Sequence, residues 1–488
     1  MLDKRYLTEC EQEQLHLTGA IQPHGALLVL GPDDRIVNVS SNIDHFLPEP
    51  GHAWLGQPLP ASLEGIRPLL QGLGSAEGLR RTVRAGIEGK EGLLDCVIRR
   101  NANAGTLVEL TPAQDFTAPR NHRAHEPYRD DISYRSARQA LVGDLMKLTG
   151  FQRVMYYQFL ENDDGLVVAE ARNPQAYGSF MDHRFPASDI PRIARQLYVK
   201  QPWRLIPDAT REPVPVIGQT ETVPDLTWSD LRSVSPVHRV YLANMGVRAS
   251  LSFPVILNGH LSALIACHHT APSYPSLSTL EIAAQQVQAH ALAVSGFHSQ
   301  QRMRLLDSLD ARFLPARHML QRHGSLLSAW AELGPWLIQT FDADGALLCL
   351  GDYRLDHGLS LEPTVQGSLE AWLQIQDNDP LLPLDSLSRT LPGFPPSQCA
   401  GALVVRGKSA LGEPVCLVLT RREQIEEVLW GGNPEKPVEH HDGTLGIAPR
   451  HSFEKWVEKR LGYCRPWNNE SRVLAFKLRE ILGMGPLK

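Results

Sequence analysis

At 488 residues the chain is too long for one core and is expected to divide into about three domains. A hydrophobic fraction of 42% and a charged fraction of 21% are those of a soluble globular protein. The formal net charge of −6 gives no reason to expect nucleic acid or an acidic membrane as partner. The longest apolar runs, such as GALLVLG at 25–31, fall far below the roughly 20 residues of a membrane span, and the opening MLDKRYLTECEQEQ lacks the apolar core of a leader, so a cytoplasmic address is expected. Seven cysteines, an odd count without CxxC spacing, argue against a disulfide framework and a zinc site; most are read as small buried hydrophobes.

From His24 the pattern HGALLVLG, PDD, RIVNVS and SSNIDHFL reads as strand, tight turn, strand and short helix. Apolar alternation resumes at Leu93–Arg99 and Gly105–Leu110, closing a sheet near Thr111. Residues 112–133, rich in Pro, His and charge without an apolar period, form a linker. A helix is expected over Tyr134–Leu148, with Ala137, Leu141, Leu145 and Leu148 three to four residues apart. The strands FQRVMYYQF and GLVVAEA follow, then a polar insertion, then ASLSFPVILNGHLSALIACHH with Asn258-Gly259 as a hairpin turn. A helix from near Leu277 has few breakers and continues through Gln300–Leu314. Beyond it, LGPWLIQTFDADGALLCLGD, GALVVRG and EPVCLVLTRRE are expected to be strands of a further sheet.

The segment VLWGGNPEKPVEHHDGTLGIAPRHSFEKWVEKRLG at 428–462 is a polar excursion that no packed domain needs, and it is read as functional. Its WGG and Pro/Gly-rich middle suit an irregular hairpin. Its end places Phe453, Trp456, Val457 and Leu461 on one helical face behind Ser452 as a possible N-cap. In Ser471–Leu482, Leu474, Leu478 and Ile481 make a helical stripe suited to an output module or partner helix.

Several segments together resemble the bacteriophytochromes: TECEQEQLHLTGAIQPHG around Cys10, HRFPASDIPRIARQLY at 183–198, SPVHRVYLANMG at 235–246, WGG at 430–432 and PRHSF at 449–453. The resemblance implies an α+β fold of three domains (PAS, GAF and PHY), each a central antiparallel sheet flanked by helices and joined by long helices. The boundaries it suggests are an N-terminal segment at 1–23, PAS at 24–111, GAF at 134–297, a connecting helix at 298–314, and PHY at 315–488 with a tongue at about 425–460. It also implies a knot, with the N-terminal segment threaded through the GAF insertion RLIPDATREPVPVIGQTETVPDLTW, against the usual rule that chains do not thread loops.

Function is implied in the same way: a red/far-red photoreceptor that binds biliverdin through a thioether at Cys10, photoconverts by isomerisation at ring D, and signals through the tongue to a C-terminal output region. The chain itself is expected not to be an enzyme. Arg204 and Arg232 match the propionate-binding arginines, whose planar forks suit carboxylates, and Ser250 and Ser252 fit as further donors. His238 matches the residue against the ring nitrogens, Asp189 the carboxylate beside them, and His268 the partner of the ring D carbonyl. Tyr157, Phe185, Tyr198 and Tyr241 match the aromatic surround, with Met155, Ile190 and Pro191 lining the pocket. Arg450, Ser452 and Trp430 belong to the tongue; Asp189 is expected to pair with Arg450 in one state and Ser452 in the other. Val237, not cysteine, precedes His238, which favours biliverdin over more reduced bilins. A homodimer and a C-terminal output module or response regulator are the expected partners. Whether the resting state absorbs red or far-red light stays open. The rival readings are a light-independent GAF sensor of a cyclic nucleotide and a metallohydrolase. No metal is expected, because His268-His269 and His440-His441 have no carboxylate or thiol at ligand spacing.

Overall fold

The computed structural model describes residues 13–101, 105–116, 127–376, 379–409, 412–434, 440–441, 444–445 and 453–482. It forms two compact units, one of residues 1–297 with 429–456 and one of residues 298–428 with 457–488. Among the described residues no helix is long and apolar enough to cross a membrane.

The first unit holds two sheets. Strands β1 (Ala20–Ile21), β2 (Ala26–Leu30), β3 (Ile36–Ser40), β4 (Arg80–Gly89), β5 (Gly92–Asn101) and β6 (Gly105–Pro112) form the first. It is covered on both faces, which is why β2 is apolar throughout. Leu28 and Leu30 meet Leu63 and Ile66 on one side, while Leu27 and Val29 meet Ile21, Leu226 and Leu231 on the other. Strand β4 is legible in neither alternation nor burial, because it is an edge strand with most of its side chains at least partly exposed.

A later strand, Val214–Gly218, enters this sheet between β1 and β3. It belongs to the insertion 204–228, which together with residues 229–233 directly after it hydrogen-bonds to both edges of residues 16–22. On one edge Val216 N donates to Gly19 O (2.9 Å). On the other, Leu226 N donates to His16 O (2.8 Å), Gln22 N to Leu231 O (2.7 Å) and Ser233 N to Ala20 O (3.1 Å).

The second sheet holds β7 (Arg153–Phe159), β8 (Gly165–Arg172), β9 (Arg184–Phe185), β10 (Arg204–Ile206), β12 (Ala249–Leu257) and β13 (His260–His269), in the order β10-β12-β13-β7-β8-β9, and is continued beyond β9 by the strand that carries Trp430; β11 is the inserted Val214–Gly218. Asn258 and Gly259 turn the β12–β13 hairpin with φ of 52° and 79°, both in the left-handed region such a two-residue turn requires. One face packs on the helix Asp131–Thr149, which is capped by Asp130 and ended by Gly150. The first turns of the helix Leu277–His323 cover the same face. The opposite face lines a cavity.

The second unit carries a five-stranded sheet in the order β15-β14-β18-β17-β16, made of β14 (Gly345–Leu350), β15 (Tyr353–Gly358), β16 (Leu381–Leu384), β17 (Gly401–Lys408) and β18 (Pro414–Arg421). Two expectations fail here. The front of LGPWLIQTFDADGALLCLGD is not a strand but the end of a helix, Leu326–Phe341, despite Pro335 inside it. Its buried residues Ala329, Trp330, Leu333, Leu337 and Phe341 follow the helical period, Ser325 caps its start, and Asp342 ends it in a left-handed conformation. The stripe on the C-terminal helix Asn469–Ile481 is not held free for a partner, since Leu474, Ala475 and Leu478 are buried in this unit's own core. In the tongue segment, Glu426–Gly431 and Lys455–Arg460 are both strands, so the expected helical face over Phe453–Leu461 is not formed in this state.

Candidate functional site

The sheet presents a cross-strand row to the cavity. Arg204 on β10 lies opposite Ser252 on β12, Ser252 opposite Ala266 on β13, and Ala266 opposite Met155 on β7. Beside this row, Ser250 lies opposite His268, and Leu264 opposite Tyr157. Successive strand residues point to opposite faces. Ala249, Leu251 and Phe253 therefore enter the core, while Ser250 and Ser252 turn to the cavity.

The remaining wall comes from short elements. The 3-10 turn Ala187–Asp189 carries Asp189, with Ile190 and Pro191 directly after it. The helix Arg192–Lys200 brings Tyr198, and the helix Pro236–Asn244 brings His238 and Tyr241. The last two, three residues apart, share a helix face, and their rings stack at 5.9 Å with an interplanar angle of 14°. Tyr241 Oη donates to Asp189 Oδ2 at 3.1 Å. Phe185 closes the end, its ring 5.8 Å from that of Tyr157. All of these, with Arg232, enclose a cavity of about 220 Å³.

Its electrostatics are unusual for an apolar pocket. Arg204 Nη2 donates to the carbonyls of Arg232 and Ser233 (2.6 and 3.0 Å), and Arg232 Nη1 makes only long bonds to Leu226 O (3.5 Å) and Thr227 O (3.4 Å). Burial, and then the neighbouring Arg204, push the Arg232 pKa down to about 9. Burial also lowers that of Arg204. His238 is pushed down to about 4 by burial and then Arg204, and His268 to about 3 by burial, Arg153 and His238. Both imidazoles are therefore neutral at pH 7, each with one donor and one acceptor nitrogen. Arg204 Nη1 and His268 Nδ1 are buried without a hydrogen-bond partner among the described residues. A buried cationic donor left unmet is costly, so the site fits a ligand that brings acidic oxygens to the arginines and an acceptor to the histidine.

Part of the tongue segment reaches this site. Trp430, buried at 8% exposure, pairs in parallel with Arg184 on β9. At Gly431 a Cβ would come within 2.6 Å of Phe185 Cζ, so only glycine allows that approach. The Phe453 ring meets Tyr241 edge-on at 5.0 Å. Cys10, Arg450 and Ser452 lie outside the described residues. His268 and His269 are successive strand residues: His268 lines the cavity while His269 packs on Phe151 at 6.1 Å, so one ion cannot bridge them.

Three family models match in series: a PAS fold at 10–113, a GAF domain at 135–295 and the phytochrome region at 316–484. The chain belongs to the phytochrome family. Its architecture is the PAS-GAF-PHY photosensory module. It is 32% identical to a bacteriophytochrome of Pseudomonas aeruginosa across 97% of this chain, and 30% identical to cyanobacterial phytochrome B of a Nostoc species across 98%. It spans 66% of the length of each of these relatives. Among solved structures, a bacteriophytochrome from the photosynthetic bacterium R. palustris aligns over 97% of this chain and 98% of its own, with a TM-score of 0.80 and 26% identity. The phytochrome photosensory core module of Stigmatella aurantiaca gives 0.79 and 27%, covering 97% of each chain.

Several residues of this phytochrome cavity escaped the sequence reading. Ala194 and Leu197 line it from the same helix as Tyr198, and Gln201 from the extended residue that ends that helix; their three-to-four spacing after Ile190 was the available signal. Ser235 lines it too and meets Glu13 at 3.1 Å. No local signal marks Glu13, which arrives from the N-terminal segment.

Proposed function

We propose that this module is a red/far-red photoreceptor whose cavity holds biliverdin, joined through a thioether to Cys10. The carrying observation is that buried Arg232 and half-buried Arg204 line one side of the same aromatic-walled cavity, with Arg204 Nη1 buried and without a hydrogen-bond partner among the described residues. Two propionates meet that need through charge-assisted bonds, and Ser250 and Ser252 supply further donors. Neutral His238 presents its donor or acceptor to the ring nitrogens, and neutral His268 donates to the ring D carbonyl. Bound biliverdin supplies red-light absorption and a double bond that isomerises next to ring D.

The protein's own part is to discriminate two states. Tyr157, Phe185, Tyr198 and Tyr241 shape one ring placement, while Asp189 pairs with Arg450 in one state and Ser452 in the other. Contact of Trp430 and Gly431 with the Phe185 end supports the reading that the tongue senses this change and refolds. The insertion along both edges of residues 16–22 supports threading of the N-terminal segment, which steers Cys10 towards the cavity. The output lies outside this chain, in a C-terminal module or a response regulator, and the module acts as a homodimer. The test is to mix the purified protein with biliverdin and record its visible spectrum before and after red light. An unchanged spectrum on mixing removes the chromophore assignment, and a bound but light-insensitive spectrum removes the photoreceptor assignment.

A further inference from the structure

The part of the cavity wall that carries Asp189 and Ile190 is one short turn, Ala187–Asp189, paired to no strand. It is held from outside. Arg195, in the helix that follows, donates from Nε to Ile190 O at 2.9 Å, from Nη2 to Ala187 O at 3.5 Å and from Nη1 to Asp163 Oδ1 at 2.5 Å. Asp163 belongs to the β7–β8 turn. Its neighbour Asp164 accepts from Ala187 N at 2.9 Å and from Asn162 Nδ2 at 2.6 Å. The guanidinium also sits 5.3 Å over the Phe159 ring, and Phe159 meets the cavity residue Tyr157 edge-on at 5.4 Å. Arg195 itself does not line the cavity.

We propose that Arg195, with Asp163 and Asp164, is a positioning bracket that ties residues 187–190 to the β7–β8 turn and so fixes where the Asp189 carboxylate and Ile190 stand against the chromophore. Its role in light switching rests on the biliverdin reading; its mechanical role does not. The planar guanidinium fork matches the task, because it addresses two backbone carbonyls and one carboxylate at once in fixed directions. The lysine ammonium is a point charge that keeps the ion pair without that geometry. None of residues 187–191 belongs to the hydrophobic core behind the sheet, so loosening the bracket is a local change.

The experiment is hydrogen exchange on the ligand-free protein, comparing the natural sequence with R195A and R195K. Exchange over residues 186–191 should rise by about tenfold or more in R195A and by less in R195K, with the rest of the domain unchanged, because the opening is local. On loading with biliverdin, R195A should keep binding within about threefold yet change the dark-reversion rate by more than that, a split that general destabilisation does not produce. Unaltered exchange over 186–191 in a folded R195A overturns the bracket. Altered exchange with unaltered reversion overturns its role in switching. If R195A does not fold, D164N loosens the same turn from the other side and is judged by the same exchange. Failure of the natural protein to take up biliverdin would strike the chromophore assignment while leaving the exchange result to stand alone.

Discussion

Replacing Arg232 by methionine should stabilise the empty protein and weaken the loaded one. Arg232 is 6% exposed, and its pKa is pushed well below the ordinary arginine value, down to about 9, through burial first and Arg204 second. At about 1.4 kcal/mol per unit, carrying this charge costs the folded protein at most about 5 kcal/mol. The two long bonds to Leu226 O and Thr227 O and the altered packing offset part of the gain from its removal, leaving about 1–3 kcal/mol of net stabilisation. The pH dependence has a fixed sign. Above about pH 9 the unfolded chain still holds the proton that the folded one releases more readily, so the stability of the natural empty protein rises with pH there. R232M lacks that rise. With biliverdin bound, loss of a charge-assisted bond of about 1.5–3 kcal/mol weakens affinity roughly 10- to 100-fold. Urea unfolding of the empty protein, and absorbance titration with biliverdin in a background lacking Cys10 so that binding is reversible, measure the two arms. A variant that is less stable when empty and binds biliverdin as tightly as the natural protein would show that Arg232 is a structural arginine rather than an anion receptor.

Cys10→Ala should abolish the covalent link while leaving non-covalent binding, since the arginines and aromatic walls remain; a bright band in zinc-fluorescence gels of the variant would move the attachment site elsewhere. His238 and His268, held near pKa 4 and 3 against an ordinary 6.5, bind fewer protons folded than unfolded, so stability of the empty protein should fall as pH drops below about 6.5 towards 4. H238Q should flatten that fall in acid titrations followed by circular dichroism. Leu474→Ala on the C-terminal helix should cost about 2–5 kcal/mol in urea unfolding, as a buried core deletion, whereas Phe476→Ala, at 55% exposure, should stay within about 0.5 kcal/mol; equal effects would contradict the packing of that helix. Arg450→Ala should shift the thermal balance between the two spectral forms and leave attachment intact. Equal hydrogen exchange over 425–460 in dark and light for the natural protein would show that the tongue does not switch.

The period-2 pattern of ASLSFPVIL already separates Ser250 and Ser252 from Leu251 and Phe253, and the Asn258-Gly259 turn already pairs their strand with the next. Cavity residues on regular elements, such as Tyr198, His238 and His268, could thus be named from motif and period. The front of LGPWLIQTFDADGALLCLGD was harder, because Pro335 and a continuous apolar run hide a helical period that becomes visible only when Trp330, Leu333 and Leu337 are seen buried together. The stripe Leu474, Leu478 and Ile481 shows the converse: an apolar helix face announces that it will be covered, and says nothing of what covers it.

What the chain order determined by itself is local: strand faces, caps, the hairpin turn, and the residue types needed to meet a carboxylate or a flat ring. What the tertiary structure alone decided is which of these meet. The row Arg204, Ser252, Ala266 and Met155 joins residues from four strands through cross-strand register. Glu13 reaches the cavity because the insertion 204–228 and the residues directly after it grip the N-terminal segment along both edges. Arg195 became a bracket only when the β7–β8 turn, more than 30 positions earlier in the chain, came to lie beneath it. Such placements are set by pairing and packing across long separations, where each contact depends on others made far away in the chain; local propensity carries no record of them.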